Sequence, residues 1–177
     1  MLCPSTGDPL TDPLFAYRSG STEPPTVDVI CCMMRALEVY TVVETGTFEG
    51  LTTRVMARTN PQATIYSIEG DEQRYLKARE TLADLVNVEL SYGDALEKLA
   101  GFMDESVDFV FLDDDHTAGH VAEEIVEAKR ILKRGGVCVI HDVFGPFNLA
   151  PIVKLAGGIC LPFVQMHIAG GLGIIVK

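Results

Sequence analysis

The chain is expected to fold as an α/β domain, a doubly wound sheet of five parallel strands closed by a C-terminal β-hairpin. Three observations predict this. Short apolar runs alternate five times with amphipathic segments of helical period. The run Phe109, Val110, Phe111, Leu112 is apolar on both faces, as a central parallel strand must be. Two last runs, 163–168 and 172–176, are joined by Ala169, Gly170 and Gly171, the spacing of hairpin strands.

At 177 residues the chain suits one domain, large enough to bury roughly 70% of its unfolded surface without staples. Residues 1–25, rich in Pro, Ser, Thr and Asp, read as an irregular arm, and 26–177 as the folded domain. A formal charge of −11 argues against nucleic acid and anionic membranes as partners. Cys3, Cys31, Cys32, Cys138 and Cys160 form no Cys-x-x-Cys pair and read as reduced thiols of a cytoplasmic protein, with a redox or zinc role as the alternative. There is no apolar run of membrane-spanning length and no leader pattern.

In chain order, Val29, Ile30, Met33, Met34 and Leu37 recur at helical spacing within 26–40. The first strand, 41–44, leads into a glycine-spaced turn and a helix over 51–58 that Asn60 and Pro61 terminate. The second strand, 64–68, ends in Glu69, Gly70 and Asp71, with Asp71 placed to cap a helix reaching about 86. The third, 88–91, ends in Gly93, Asp94 and Ala95 before a short helix through Leu99. The fourth, 109–112, ends in Asp113, Asp114, Asp115 and His116. A helix over 118–133 carries Val121, Ile125, Ala128 and Leu132 on one face, with Glu123 and Glu124 early and Lys129 and Arg130 late, as the helix dipole favours. Gly135 and Gly136 stop it, and a fifth strand, 137–140, delivers His141 and Asp142. His120 and His167 read as structural. A Gly- and Pro-rich loop over 143–162, with room for one short helix, leads to the hairpin, whose segment 163–168 offers an edge for a homodimer. Right-handed crossovers place the carboxyl ends of all five parallel strands on one rim, where such sheets bind ligands.

The turn after the first strand reads Val42, Val43, Glu44, Thr45, Gly46, Thr47, Phe48, Glu49, Gly50. Gly46 lets a ligand approach the backbone, and Gly50 lets the next helix pack close to the strand. The loop has two carboxylates and no Lys or Arg. A pyrophosphate ~5 Å from such a carboxylate is opposed by about 3 kcal/mol at an effective dielectric near 20. The spacing Gly-x-x-x-Gly also differs from the dinucleotide fingerprint. A cationic nucleoside with a free amino group, such as S-adenosylmethionine, suits the turn better.

With those motifs in order, the chain from Val42 to Lys177 resembles the class I S-adenosylmethionine-dependent methyltransferases. These have a Rossmann-like, seven-stranded fold. The segment 109–116, followed by 132–142, is similar to the O-methyltransferase branch that includes catechol, caffeoyl-CoA and antibiotic-tailoring enzymes. The resemblance implies that Glu44, Gly46 and Gly50 serve the methionine end of the cofactor, Glu69 its ribose, Asp94 its adenine and Asp113 the rim beside it. Glu69 could equally be a helix-capping or solvated acid, and Asp94 an ordinary turn residue. In the branch that uses a divalent cation (Mg or Mn), an Asp and an Asp-Asn pair hold the metal. The matching residues here are Asp113 with His141 and Asp142. The histidine shifts preference from Mg²⁺ toward Mn²⁺, Fe²⁺ or Zn²⁺. His116 stands where that branch has a lysine base, so His116 and His141 are the candidate catalytic bases.

The implied function is O-methylation of a small hydroxylated molecule. One alternative is a methyltransferase-like binding or scaffold protein without the reaction. Another is an NAD-dependent oxidoreductase, in which Glu69 would hold the nicotinamide ribose.

Overall fold

The computed structural model describes residues 21–162 and 170–177. A helix α1 (Pro24–Ala36) precedes an alternation of strands and helices: β1 (Thr41–Thr45), α2 (Leu51–Thr59), β2 (Thr64–Glu69), α3 (Glu72–Thr81), β3 (Val88–Tyr92), α4 (Ala95–Ala100), β4 (Val107–Leu112), α5 (Ala118–Ile131) and β5 (Leu132–Ile140). A 3-10 turn (Gly145–Phe147), α6 (Ala150–Leu155), β6 (Ile159–Leu161) and β7 (Leu172–Val176) complete it. The sheet order is β3-β2-β1-β4-β5-β7-β6. The first five strands are parallel, and β7 lies antiparallel to both β5 and β6. The expected doubly wound sheet with an antiparallel edge is therefore present.

Side-chain alternation in the central strands explains why both faces are covered. Val42, Phe109, Phe111, Val137 and Val139 join Val27, Ile30, Met34, Val55 and Met56 in one buried cluster under α1 and α2. Their neighbours Val43, Val110, Leu112, Cys138 and Ile140 face the other way, onto Val121, Ile125, Ala128 and Ile131 of α5 and Leu99 of α4. Cys31 and Cys138 are buried free thiols and Cys32 is exposed; Cys3 lies outside the described residues. No described helix is long and apolar enough to cross a membrane.

Several boundaries differ from expectation. The helix α1 starts at Pro24, because two prolines at its first positions fit a helix N-terminus. Glu23 and Thr22 thus belong to the domain and not to an arm. The helix α5 ends at Ile131, since Leu132 is extended and already pairs with Val107. The glycine pair lies inside β5, where Gly135 takes φ +80° and donates to the Lys177 carbonyl. The described partner of β7 is residues Ile159–Leu161, from the segment expected to be loop. The expected strand over 163–168, and the homodimer edge it suggested, lie outside the described residues.

Gly46 has φ +80°, and a Cβ there would sit 2.1 Å from the Asp113 carbonyl oxygen. The turn after β1 and the turn after β4 are thus in backbone contact. Gly135 has the same φ with nothing within 4 Å. Gly46→Ala should cost about 2–4 kcal/mol, combining left-handed strain and overpacking, and Gly135→Ala only about 1 kcal/mol. Equilibrium urea denaturation of both variants checks this, and equal losses would refute the contact.

Candidate functional site

The carboxyl ends of β1, β2, β4 and β5 gather the expected acids and histidines on one rim. Glu44 is buried beneath the first turn at 1% exposure. The parallel register sets it opposite Ser67. Ser67 and Thr53 both donate to Glu44 Oε2, and Thr47 hydrogen bonds Ser67 at 2.6 Å, while Glu44 Oε1 has no partner. Burial pushes the carboxyl up to about 7 despite these donors. Glu44 therefore supports the turn from below as part of a hydroxyl network. The sequence reading missed its hydroxyl members.

Glu69 ties the second strand to the same turn. Its Oε2 accepts from the Phe48 N–H at 2.7 Å and its Oε1 from the Asp71 N–H at 2.9 Å. Each oxygen keeps a lone pair for a further donor. Burial raises its pKa, against these two backbone bonds and the charge of Arg74. The Arg74 guanidinium lies 5.1 Å from the Phe48 ring centroid, so helix α3 supplies the cation that the turn itself lacks. Asp71 caps α3 as expected, accepting from the Arg74 N–H. Gly50, expected to bring α2 close to its strand, instead adjoins α3: a Cβ there would meet Leu82 at 3.1 Å and Ala78 Cα at 3.4 Å. Asp94 is exposed and caps α4 through the Glu97 N–H, leaving Oδ2 without an intramolecular bond in that cap. A cavity of about 330 Å³ between Tyr66, Ile68, Leu90 and Phe102 includes none of the rim histidines.

Asp113 is the centre of a second group. Its Oδ1 lies 2.9 Å from His141 Nδ1, and its Oδ2 accepts from the Thr22 hydroxyl at 2.9 Å. His141 Nε2 lies 3.0 Å from Glu23 Oε2. Burial alone would raise the Asp113 pKa, but the charge of His141, the nearby His116 and the hydrogen bond with His141 hold it down at about 2. Burial alone would lower His141, yet the charge of Asp113 and the bonds to Asp113 and Glu23 raise it well above the usual imidazole range. With a carboxylate oxygen within hydrogen-bond distance of each ring nitrogen, His141 has the surroundings of an imidazolium clamped between two carboxylates.

Those surroundings remove His141 as a base in the free protein, and both of its ring nitrogens are engaged. His116 is different. Its Nε2 is buried with no hydrogen-bond partner, 3.5 Å from Asp113 Oδ1 and 3.9 Å from Asp142 Oδ2. Its ring stacks on Phe147 with centroids 4.6 Å apart. Asp142 adopts φ 50°, an uncommon left-handed setting for a non-glycine residue that turns the chain at the end of β5. Of the residues expected to hold a cation, Asp113 and Asp142 lie 2.9 and 3.6 Å from His141 Nδ1, nearer than to the orphaned nitrogen of His116. Thr22 and Glu23 were missed because the segment before α1 reads as irregular.

The three aspartates after β4 have separate surroundings. Asp115 accepts from the Thr117 N–H at the start of α5. Asp114 Oδ2 lies 3.5 Å from His120 Nε2, and Glu124 Oε2 lies 3.9 Å from the same nitrogen. Glu124, placed early in α5 as the helix dipole favours, is 1% exposed. A legible signal existed: Val121, Glu124, Ile125 and Ala128 share one stripe of α5. Burial pushes its carboxyl up to about 8. The Thr45 hydroxyl is near enough to lower it somewhat, yet neither Glu124 oxygen has a hydrogen-bond partner.

Known proteins share this framework. Residues 43–143 match the family model described as "Methyltransferase domain". The structure is similar to the O-methyltransferase TomG of Streptomyces achromogenes, involved in tomaymycin synthesis and solved with SAM: TM-score 0.75, 20% identity, covering 89% of this chain and 82% of that one. It is similar to a Bacillus cereus O-methyltransferase solved with SAH: TM-score 0.77, 19% identity, 90% and 84% covered. It is also similar to precorrin-6y C5,15-methyltransferase of Geobacter metallireducens: TM-score 0.72, 19% identity, 92% and 94% covered. No curated protein sequence matches the chain. At such identities the structural likeness speaks to fold, whereas the family match spans more than half of the sequence and covers β4, its three aspartates and the β5 histidine: the chain belongs to the methyltransferase-domain family.

Proposed function

We propose that the protein is an S-adenosylmethionine-dependent O-methyltransferase acting on a small hydroxylated molecule. The observation that carries this reading is the unpartnered Nε2 of His116, held beside Asp113 and Asp142 on the rim that also presents Gly46 and Glu69. Glu69 would accept from the ribose hydroxyls, Gly46 would admit the methionine end, and Asp94 would face the adenine.

When bound, the cofactor supplies an electrophilic methyl on a sulfonium. The rim residues would hold an acceptor hydroxyl in line with that methyl. The acceptor's proton passes to His116 Nε2. Asp113 and Asp142 stabilise the resulting imidazolium, and Phe147 fixes the ring plane. The charged His141, pinned by Asp113 and Glu23, holds those carboxylates in place.

A second reading is favoured by the spacing around His116. Separations of 3.5 and 3.9 Å are long for hydrogen bonds and suit neighbouring ligands of one cation. Asp113, His116 and His141 bring ligand-type atoms within 4.8 Å of one another and, with His141 deprotonated, would suit a Mn²⁺ or Zn²⁺ ion, which would lower the pKa of the acceptor hydroxyl. Activity that survives prolonged chelation selects His116 as base. Activity lost to the chelator and restored by Mn²⁺ selects it as ligand.

Calorimetric titration with S-adenosylhomocysteine should show binding, and Glu69→Ala should weaken it by about 10–100-fold, the loss of hydrogen bonds to a charged acceptor. No heat at ~1 mM ligand would reject the cofactor. For the transfer step, burial alone would lower the His116 pKa, but the nearby carboxylates of Asp113 and Asp142 raise it above the usual imidazole value. The base form therefore grows as pH rises, and kcat/KM should climb through a pKa above that of free imidazole. His116→Gln should lower kcat by about 10²–10⁴-fold and flatten that limb while sparing cofactor affinity. A variant active within about tenfold of the parent would remove His116 from the chemistry.

A further inference from the structure

Beside the site described above lies a set of groups that the methyl-transfer chemistry does not use. His120 and Glu124 stand one turn apart on α5, so their side chains share a face. Asp114 reaches them from the turn after β4. The ligand-type atoms of the three residues all lie within 4.8 Å of one another.

The separations decide what this set is for. At 3.5 and 3.9 Å, His120 Nε2 is too far from either carboxylate for a good hydrogen bond. Two ligands ~2.0–2.1 Å from one tetrahedral ion are about 3.4 Å apart. Glu124 adds an independent sign. Both of its oxygens and His120 Nε2 are buried without a hydrogen-bond partner, and the Glu124 side chain is 1% exposed. A carboxyl so enclosed either keeps its proton or needs a cation beside it, and a metal ion can displace that proton. Among the described residues no Lys or Arg is bonded or ion-paired to it. Asp114 and His120 remain partly exposed, which leaves a way in.

We propose that Asp114, His120 and Glu124 form a second divalent-metal site, separate from the rim pair Asp113 and Asp142. One imidazole with two carboxylates favours a zinc-class transition dication over Mg²⁺, with the fourth position open to water. The ion clips the turn after β4 to helix α5. That turn presses on Gly46 through the Asp113 carbonyl, so the clip also sets the height of the first turn. The proposal does not depend on the methyltransferase reading, which the homocysteine-nucleoside titration decides by itself.

The test is equilibrium dialysis and calorimetry of the full chain with Zn²⁺ alone, repeated with Co²⁺ for its absorption bands. Wild type and Asp142→Asn should each bind one equivalent that Glu124→Gln and His120→Asn lose or weaken at least 10–100-fold, the penalty for losing even an outer-shell partner. The Co²⁺ spectrum should change with His120→Asn and persist in Asp142→Asn. No uptake by wild type below ~1 mM Zn²⁺ overturns the proposal, as do two folded variants that bind with the wild-type stoichiometry and within about threefold of its affinity. If Glu124→Gln does not fold, the partly exposed His120→Asn decides alone.

Discussion

A carboxylate enclosed at the end of a central strand must be compensated, and the rest of the site follows from how Asp113 meets that demand. The parallel sheet buries β4 on both faces, so the first residue past it inherits a low-dielectric setting. His141, from the adjacent strand end, answers with a proton held between Asp113 and Glu23. That pairing fixes the ends of β4 and β5 relative to one another and draws the start of α1 into the rim. It also leaves His116, three residues on, as an imidazole with an uncommitted nitrogen. Breaking one partner of such a buried pair leaves an isolated charge, which makes the arrangement stiff.

The first turn solves the same problem differently. Glu44 has no cation beside it and relies on hydroxyl donors from Thr53 and Ser67, with Thr47 extending the chain of bonds. Hydroxyls stabilise an anion less than an imidazolium does, and the Glu44 carboxyl accordingly sits near 7 while Asp113 sits near 2. One fold thus holds a carboxyl close to neutrality and a firmly ionised one on neighbouring strands.

Much of this was legible because strand ends in a doubly wound sheet are few and ordered. Once the period-two and helical runs were recognised, Glu44, Glu69, Asp113, His141 and Asp142 had to share a rim, and they do. What stayed hidden depended on contacts that no local pattern encodes. The division of work among Asp113, Asp114 and Asp115 requires knowing which way each side chain leaves the turn. The role of His141 as clamp depends on Glu23, far away in sequence and preceded by residues with no periodicity. Arg74 over Phe48 joins a helix face to a turn that carries no basic residue of its own. The burial of Glu124, by contrast, was readable from its place on the apolar stripe of α5.

Thr22 and Glu23 are bonded to Asp113 and His141 immediately before two prolines open α1. The described polypeptide therefore enters the domain at the rim that carries Asp113 and His141, and not at its back. Anything spliced on directly before Thr22, whether a natural module or a purification handle, is anchored beside Asp113 and His141. A change of the two residues before the prolines reaches that rim without altering a residue of the sheet.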